Sequence, residues 1–213
     1  MNIHAVYEKF QKHFRTKRML EFEKDFGLNS QTTILDIGGT DYNWGLISEE
    51  PHVTIVNLNY SDDGTKKVVK RNLDFQIGDG TNLSYADKTF DITYSNSVIE
   101  HLYTHENQVK FANEVMRTGR NVYVQTPAYE FFMEPHLITP FIHWLPASWE
   151  SKLIRNFSVW GLLTRPTREE CDTFLKERRL LNYKEFKSLF KDCEIRKERF
   201  LGFTKSYIAV KKA

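Results

Sequence analysis

The feature that most constrains the fold is an apolar stretch, residues 33–37, that runs directly into Gly38 and Gly39. The stretch is rich in β-branched side chains, which is typical of a buried strand. The two glycines permit positive φ and leave the backbone open to a ligand, because neither carries a Cβ atom. A threonine and an aspartate follow, and either one can cap a helix. A strand, a glycine turn and a helix start indicate a ligand crevice at the carboxyl edge of a parallel sheet, although an ordinary strand-to-turn connection has the same pattern.

An acidic residue, Asp36, lies two positions before Gly38. The G-x-G-x-x-G spacing of a dinucleotide-binding turn is absent, because Thr40 to Trp44 contain no further glycine. A carboxylate beside exposed backbone N–H groups favours a ligand that carries a cation and disfavours a pyrophosphate, since like charges would meet there. The turn therefore points away from a nicotinamide dinucleotide.

The bulk composition predicts one globular domain over residues 1–213, of which 40% are hydrophobic. A net charge of +2 gives no field that favours nucleic acid. Cys171 and Cys193 lack the spacing of a metal site, so we expect reduced thiols in a cytoplasmic protein. The sequence shows no signal-peptide run and no segment long enough to span a bilayer, so we expect no stable membrane insertion.

Helical and strand-like patterns alternate along the chain. The predicted helical segments are 3–27 within an N-terminal helical region 1–29, then 43–48, a solvated basic face at Lys66–Arg71, 106–117, and a helical region from Thr167 to Phe190. The predicted strands are 33–37, 53–58, 75–79, 90–95, 121–125 stopped by Thr126-Pro127, and two closing strands near 193–199 and 203–211 joined as a hairpin at Leu201-Gly202. The alternation implies parallel βαβ units and an α/β, doubly wound sheet.

Three motifs carry a resemblance to a known family. They read Ile-Leu-Asp-Ile-Gly-Gly at 34–39, Gly-Asp-Gly at 78–80, and Phe-Asp-Ile-Thr-Tyr-Ser-Asn-Ser-Val-Ile-Glu-His-Leu at 90–102. On these motifs the chain resembles the class I S-adenosylmethionine (SAM)-dependent methyltransferases, closest to the broad group called methyltransferase type 11. The resemblance covers about residues 30–127 and, loosely, the closing hairpin. It implies a Rossmann-like, seven-stranded, mostly parallel sheet with an antiparallel C-terminal strand and an insertion after strand 5.

The resemblance also implies SAM as the cofactor and a set of residues that bind it. Asn57, or Asn59 if the register slips, takes the position where the family normally has an acid for the ribose hydroxyls, and an amide lacks the charge-assisted bond. Asp79 matches the residue that hydrogen-bonds the adenine amino group. The implied cofactor-binding residues are Asp36, Gly38, Gly39, Asn57, Asp79, Gly80, Ser95 and Asn96.

Methyl transfer to a hydroxyl requires close alignment of acceptor and donor and a base that takes the proton. The candidate bases at the carboxyl edge of the sheet are His136 and His101, each of which could instead be a structural histidine. The candidate substrate-binding residues are Tyr129, Glu134, His143 and Trp144. The cluster His101, Glu134, His136 and His143 could also ligate a metal, but it shows no tight ligand spacing, so we expect no metal.

Residues 128–165 are aromatic and interrupted by prolines, and they match no motif. They could form a lid or wall of the acceptor pocket, a homodimer contact or a membrane-surface element, and the aromatic residues near His136 favour the pocket. The sequence therefore predicts a SAM-dependent O-methyltransferase that acts on a small-molecule or glycan hydroxyl. N- or C-methylation and a non-catalytic SAM-binding homologue are the alternatives.

Overall fold

The structure is a computed structural model that describes residues 3–59 and 72–213. The strands are β1 (Thr33–Ile37), β2 (His52–Asn57), β3 (Leu73–Ile77), β4 (Phe90–Asn96), β5 (Gly119–Pro127), β6 (Met133–Glu134), β7 (Thr139–Pro140), β8 (Glu194–Phe200) and β9 (Phe203–Lys211). The helices are α1 (Ile3–Phe26), α2 (Asp41–Trp44), α3 (His105–Thr118), α4 (Ala147–Phe157), α5 (Val159–Thr164), α6 (Arg168–Lys176) and α7 (Tyr183–Leu189), with 3-10 turns at Ile99–His101 and Ile142–Trp144.

Seven strands form one sheet in the order β3-β2-β1-β4-β5-β9-β8. Strands β1 to β5 pair in parallel, and β9 runs antiparallel to both β5 and β8. The prediction of a Rossmann-like, mostly parallel seven-stranded sheet with an antiparallel C-terminal strand is confirmed. Because β1 to β5 are parallel, their carboxyl ends meet at one edge, where the order reverses between β1 and β4 and a ligand crevice is expected.

The central strands β1, β4 and β5 bury side chains on both faces of the sheet, since successive side chains of a strand point to opposite faces. In β1, Leu35 and Ile37 pack toward α3 and α7, whereas Ile34 packs toward α1. Helix α1 contributes Met19 and Phe22 to that second face, and both are fully buried. Burying one such side chain stabilises the fold by roughly 1.5–3 kcal/mol. This two-sided packing fixes the position of the carboxyl edge.

Several predicted boundaries differ from the structure, most clearly those of α2 and β5. The helix predicted at 43–48 lies at Asp41–Trp44, because the N–H of Gly45 already closes on the carbonyl of Asp41 and the chain turns away. Strand β5 does not stop at 125, since Thr126 and Pro127 still pair with β9. The predicted basic helix face at 66–71 lies outside the described residues.

The helical region predicted from Thr167 to Phe190 is two helices, α6 and α7. Between them the N–H of Arg179 donates to the carbonyl of Glu100, and buried Leu181 bridges to Ala128 at the end of β5. These bonds hold the connecting segment in an extended form against the sheet. A capping box, in which Asn182 and Glu185 bond reciprocally, then starts α7.

The segment 128–165 forms a short β6–β7 hairpin followed by α4 and α5. Its own small core contains Leu137, Ile142 and Ile154, which pack with Cys171 of α6. Both cysteines of the chain are buried free thiols. Trp149 on α4 remains 62% exposed, so a homodimer contact and a membrane-surface contact both stay predictions. Within the described residues, no helix is long and apolar enough to cross a membrane.

Candidate functional site

The carboxylate of Asp36 lies buried beneath the glycine turn at the end of β1. The indole N–H of Trp44 donates to its Oδ2 at 2.8 Å, while Oδ1 has no hydrogen-bond partner in the described part of the chain. Burial raises the pKa of Asp36 to about 7, and the bond from Trp44 opposes only part of that rise. The site therefore holds an acid whose ionised form needs a cationic or hydrogen-bonding partner.

Both glycines of the turn are required by close contacts. Gly38 has a φ of +76°, and a Cβ built there would come within 2.5 Å of Val98. At Gly39 a Cβ would lie 1.9 Å from Oδ2 of Asp36. A side chain at Gly39 would thus collide with the carboxylate, so the position of Asp36 requires a glycine at residue 39.

Asn57 ends β2 and supports the same turn, because its Nδ2 donates to the carbonyl of Gly39 at 2.9 Å. Asp79 follows β3, and its Oδ1 accepts bonds from both the backbone N–H and the hydroxyl of Thr81. Gly80 packs against Ile37, whose methyl group would lie 2.7 Å from an added Cβ. The turn after β3 is therefore closely packed against the end of β1.

Ser95 and Asn96 end β4, but their side chains have different surroundings. The Ser95 hydroxyl is buried and donates to the carbonyl of Ile37, which joins β4 to β1. Oδ1 of Asn96 accepts a bond from Arg18 of α1. The structure thus brings all eight cofactor-binding candidates to one edge of the sheet. The Ser95 hydroxyl there already donates its hydrogen bond to a backbone carbonyl.

A cavity of about 230 Å³ opens at the carboxyl ends of β4 and β5. Its lining combines three cationic side chains with acidic, imidazole and polar groups. Its lining residues are Arg15, Arg18, Ser97, Glu100, Gln125, Pro127, Phe131, Pro135, His136, Lys205 and Ser206. The cavity is therefore formed by α1, the two central strand ends, the start of the 128–165 segment and β9.

His136 is held at the cavity wall by an ionic network. Its Nδ1 bonds to Oε1 of Glu134 at 2.9 Å, and Glu134 also contacts Arg178, which bonds Glu150. Burial alone would raise the pKa of Glu134, but the hydrogen bond from His136 and the charge of Arg178 outweigh it, so the pKa is lowered. Glu134 is thus an ionised acceptor, and His136 directs its Nε2 away from it.

His101 lies next to His136. The two Nε2 atoms are 3.2 Å apart and the rings are nearly perpendicular. Burial and the charge of His136 lower the pKa of His101, although its bond to the backbone carbonyl of Glu177 opposes this. The two candidate bases from the sequence therefore form one pair.

Tyr129, His143 and Trp144 form a separate cluster. The imidazole Nε2 of His143 and the indole N–H of Trp144 both bond to the carbonyl of Tyr129 at 3.0 Å. Burial lowers the pKa of His143. Within the described residues this cluster does not line the cavity, whereas Glu134 reaches it through His136. A direct role of these three residues in substrate binding stays a prediction.

Sequence reasoning missed Glu100 and the cations of the cavity as functional groups. Glu100 is fully buried, accepts a bond from Thr126 at 3.0 Å, and has its pKa raised to about 7 by burial. Its place directly before His101 in the third motif was a usable signal. Arg18 gave none, because its partner Glu198, which also pairs with Lys205, lies 180 positions away in sequence.

Comparisons with known proteins concern the sequence and the fold of the chain. Residues 35–121 match the sequence profile of the family described as "Methyltransferase domain". A comparison with curated protein sequences gives no match.

Three solved structures illustrate the likeness of the fold. A protein from Pyrococcus horikoshii is 17% identical with a TM-score of 0.55, over 94% of this chain and 89% of that chain. A SAM-dependent methyltransferase from Aquifex aeolicus is 16% identical with a TM-score of 0.50, over 90% and 88%. Phosphoethanolamine N-methyltransferase 2 of Haemonchus contortus, in complex with SAM, is 14% identical with a TM-score of 0.52, over 85% and 38%. At these identities the likeness concerns the fold.

Proposed function

We propose, from the match of residues 35–121 to a methyltransferase domain, that the chain is a class I SAM-dependent methyltransferase that methylates a hydroxyl group of a small-molecule or glycan acceptor. The observation that carries the proposal is the ionised Glu134 behind His136, at the wall of the cavity at the carboxyl ends of β4 and β5. This arrangement supplies a fixed imidazole lone pair, which is what deprotonation of a hydroxyl needs.

The carboxyl edge of the sheet fits SAM. Oδ1 of Asp36 is buried without a partner in the described residues, so a cationic ligand would supply what that carboxylate lacks. Gly38 and Gly39 leave the backbone accessible, while Asn57 and Asp79 stand at the neighbouring strand ends. When bound, SAM supplies an electrophilic methyl group on a sulfonium centre.

In this proposal His136 takes the proton of the acceptor hydroxyl. Glu134 accepts the Nδ1 proton and therefore keeps the Nε2 lone pair available, as an orienting carboxylate does for a catalytic imidazole. His101 stands 3.2 Å from that nitrogen and can share the proton after transfer. General base catalysis of this kind contributes about 10²–10⁴-fold to the rate.

The cationic residues of the cavity lining favour an acceptor with a negatively charged group. Arg15, Arg18 and Lys205 line the cavity, and Glu198 neutralises only part of their charge through its bonds to the last two. Burial lowers the pKa of Lys205, and the charge of Arg18 adds to that effect, although Glu198 opposes it. A carboxylate or phosphate on the acceptor would relieve the repulsion among these cations.

A matched screen tests the proposal. SAM consumption is measured against pairs of hydroxyl compounds, sugars and phenols among them, that differ only in a carboxylate or phosphate group. We expect turnover with the anionic member of at least one pair and a roughly 10²–10⁴-fold lower kcat in His136→Gln, with an unchanged dissociation constant for SAM. His52→Ala, which changes an exposed histidine at the far end of β2, is the control.

The alternatives give different results in the same screen. Turnover only with amines or carbon acids would replace the proposal by N- or C-methylation. SAM binding without turnover of any acceptor would indicate the non-catalytic homologue. Wild-type turnover by His136→Gln would remove the base assignment and transfer it to His101.

A further inference from the structure

Two imidazole nitrogens and a buried carboxylate converge on one point of the cavity wall. Ligand-type atoms of Glu100, His101 and His136 all lie within 4.8 Å of one another. The two histidines meet through their Nε2 atoms at 3.2 Å. Glu100 and His136 line the cavity, so the point is accessible from it.

The hydrogen bonds on the far side of each ring determine where the ring protons are. Oε1 of Glu134, which also pairs with Arg178, accepts a hydrogen bond from Nδ1 of His136. The carbonyl of Glu177 can only accept, and Nε2 of His101 faces His136, so Nδ1 of His101 carries a proton as well. The Nε2 atoms of the two rings therefore face each other, an arrangement that a cation bound by both nitrogens would satisfy.

The spacing of the two nitrogens is that of two ligands on one metal ion. Nitrogen ligands bind zinc at about 2.0–2.1 Å, and at a tetrahedral angle two of them lie about 3.3–3.4 Å apart. The observed separation is 3.2 Å. The carboxylate oxygen, which is within 4.8 Å, must move inward by no more than about 1.5 Å to complete a set of three.

Glu100 supplies an independent sign that a ligand belongs here. The residue is fully buried, and its Oε2 accepts a bond from Thr126. Its Oε1 is buried without a hydrogen-bond partner among the described residues. An unsatisfied buried carboxylate oxygen is costly, and a bound cation beside it would remove that cost.

We propose that Glu100, His101 and His136 bind a divalent transition-metal ion of the zinc class. Two imidazoles and one carboxylate suit zinc, cobalt and nickel, and three protein ligands leave a fourth position open toward the cavity. Glu134 and the carbonyl of Glu177 hold the two rings as supporting partners of metal-bound histidines do.

The metal site goes beyond the proposed function and does not rest on it. A metal ion and a proton would use the same lone pair of His136, so the two occupancies exclude each other at any moment. Metal binding is therefore measured directly, and methyl transfer does not enter the test.

The test is a titration of the untagged, metal-stripped protein with cobalt(II), followed by visible absorption, and with zinc(II), followed by calorimetry. We expect one site per chain with the absorption of four-coordinate cobalt. His136→Gln and Glu100→Gln should weaken binding by more than the about 10–100-fold expected for Glu134→Gln, which removes only a supporting partner. His52→Ala should bind like the wild type.

Folding of each variant is checked by far-ultraviolet circular dichroism and by SAM binding. If Glu100→Gln does not fold, His136→Gln decides, because that side chain is only partly buried. Wild-type protein that binds cobalt no more tightly than His136→Gln would overturn the proposal. So would stoichiometric binding that persists in both ligand variants.

Discussion

Replacement of Asp36 by Asn should stabilise the ligand-free protein, by an amount that depends on pH. The pKa of Asp36 is raised from 3.8 to about 7 because the carboxyl group is fully buried. Between these values the folded state binds more protons than the unfolded state. Stability is therefore highest below the unfolded pKa and is lost as the pH rises through about 7.

The size of the expected stability difference follows from the raised pKa of Asp36. A shift of about 3 pKa units corresponds to about 4 kcal/mol of destabilisation above pH 7. Near pH 5 the destabilisation is smaller, about 2 kcal/mol, because it builds up only as the pH rises above the unfolded pKa of 3.8. The amide oxygen of Asn can still accept the bond from Trp44. We therefore expect the variant to exceed wild type by about 4 kcal/mol near pH 8 and by about 2 near pH 5.

Urea unfolding of both proteins at the two pH values measures these differences. Other titrating groups, including Glu100 with its own pKa of about 7, are present in both proteins and cancel in the comparison. The same variant should bind SAM more weakly, because the carboxylate that would face the cation is gone. A stability gain that is equal at both pH values, or a loss near pH 8, would refute the reasoning about Asp36.

Three further substitutions have expected outcomes. Gly39→Ala should lower stability by about 1–3 kcal/mol in urea unfolding, since its Cβ would meet the carboxylate of Asp36, and unchanged stability would show that the turn is looser than described. Asn57→Asp should lower the free energy of unfolding by about 1 kcal/mol, because it replaces the donor to the carbonyl of Gly39 by an oxygen. Calorimetry should show no tighter SAM binding, and tighter binding would mean that the side chain turns to the ribose. Arg15→Gln should raise the acceptor's KM and leave kcat nearly unchanged in steady-state kinetics, and an unchanged KM would remove the anionic-acceptor assignment.

The parallel sheet was predictable because its strands have a recognisable local sequence pattern. Runs of β-branched residues such as 33–37 form strands wherever both faces are covered, and the glycines after β1 mark the turn. The hairpin at Leu201-Gly202 was also predictable from the sequence. In the structure both residues have positive φ in a two-residue turn. The count of seven strands and the antiparallel C-terminal strand were implied by the resemblance to a known family.

The acceptor side of the site was less predictable because distant parts of the chain build it. Arg18 of α1 meets Glu198 of β8 across 180 positions, and no local pattern signals such a pair. The pairing of His101 with His136 likewise depends on how the segment after β5 folds back. The two-helix structure of residues 167–190 was signalled by the capping box at Asn182, but the bonds that extend the connection are tertiary.

The most direct test of the central assignment is a calorimetric titration of the wild-type protein with SAM, S-adenosylhomocysteine and NAD at a pH above 7, where Asp36 is ionised. We expect one-to-one binding of SAM and S-adenosylhomocysteine and no heat with NAD. Folded protein that binds neither SAM nor S-adenosylhomocysteine, or that binds NAD more tightly than both, would contradict the assignment.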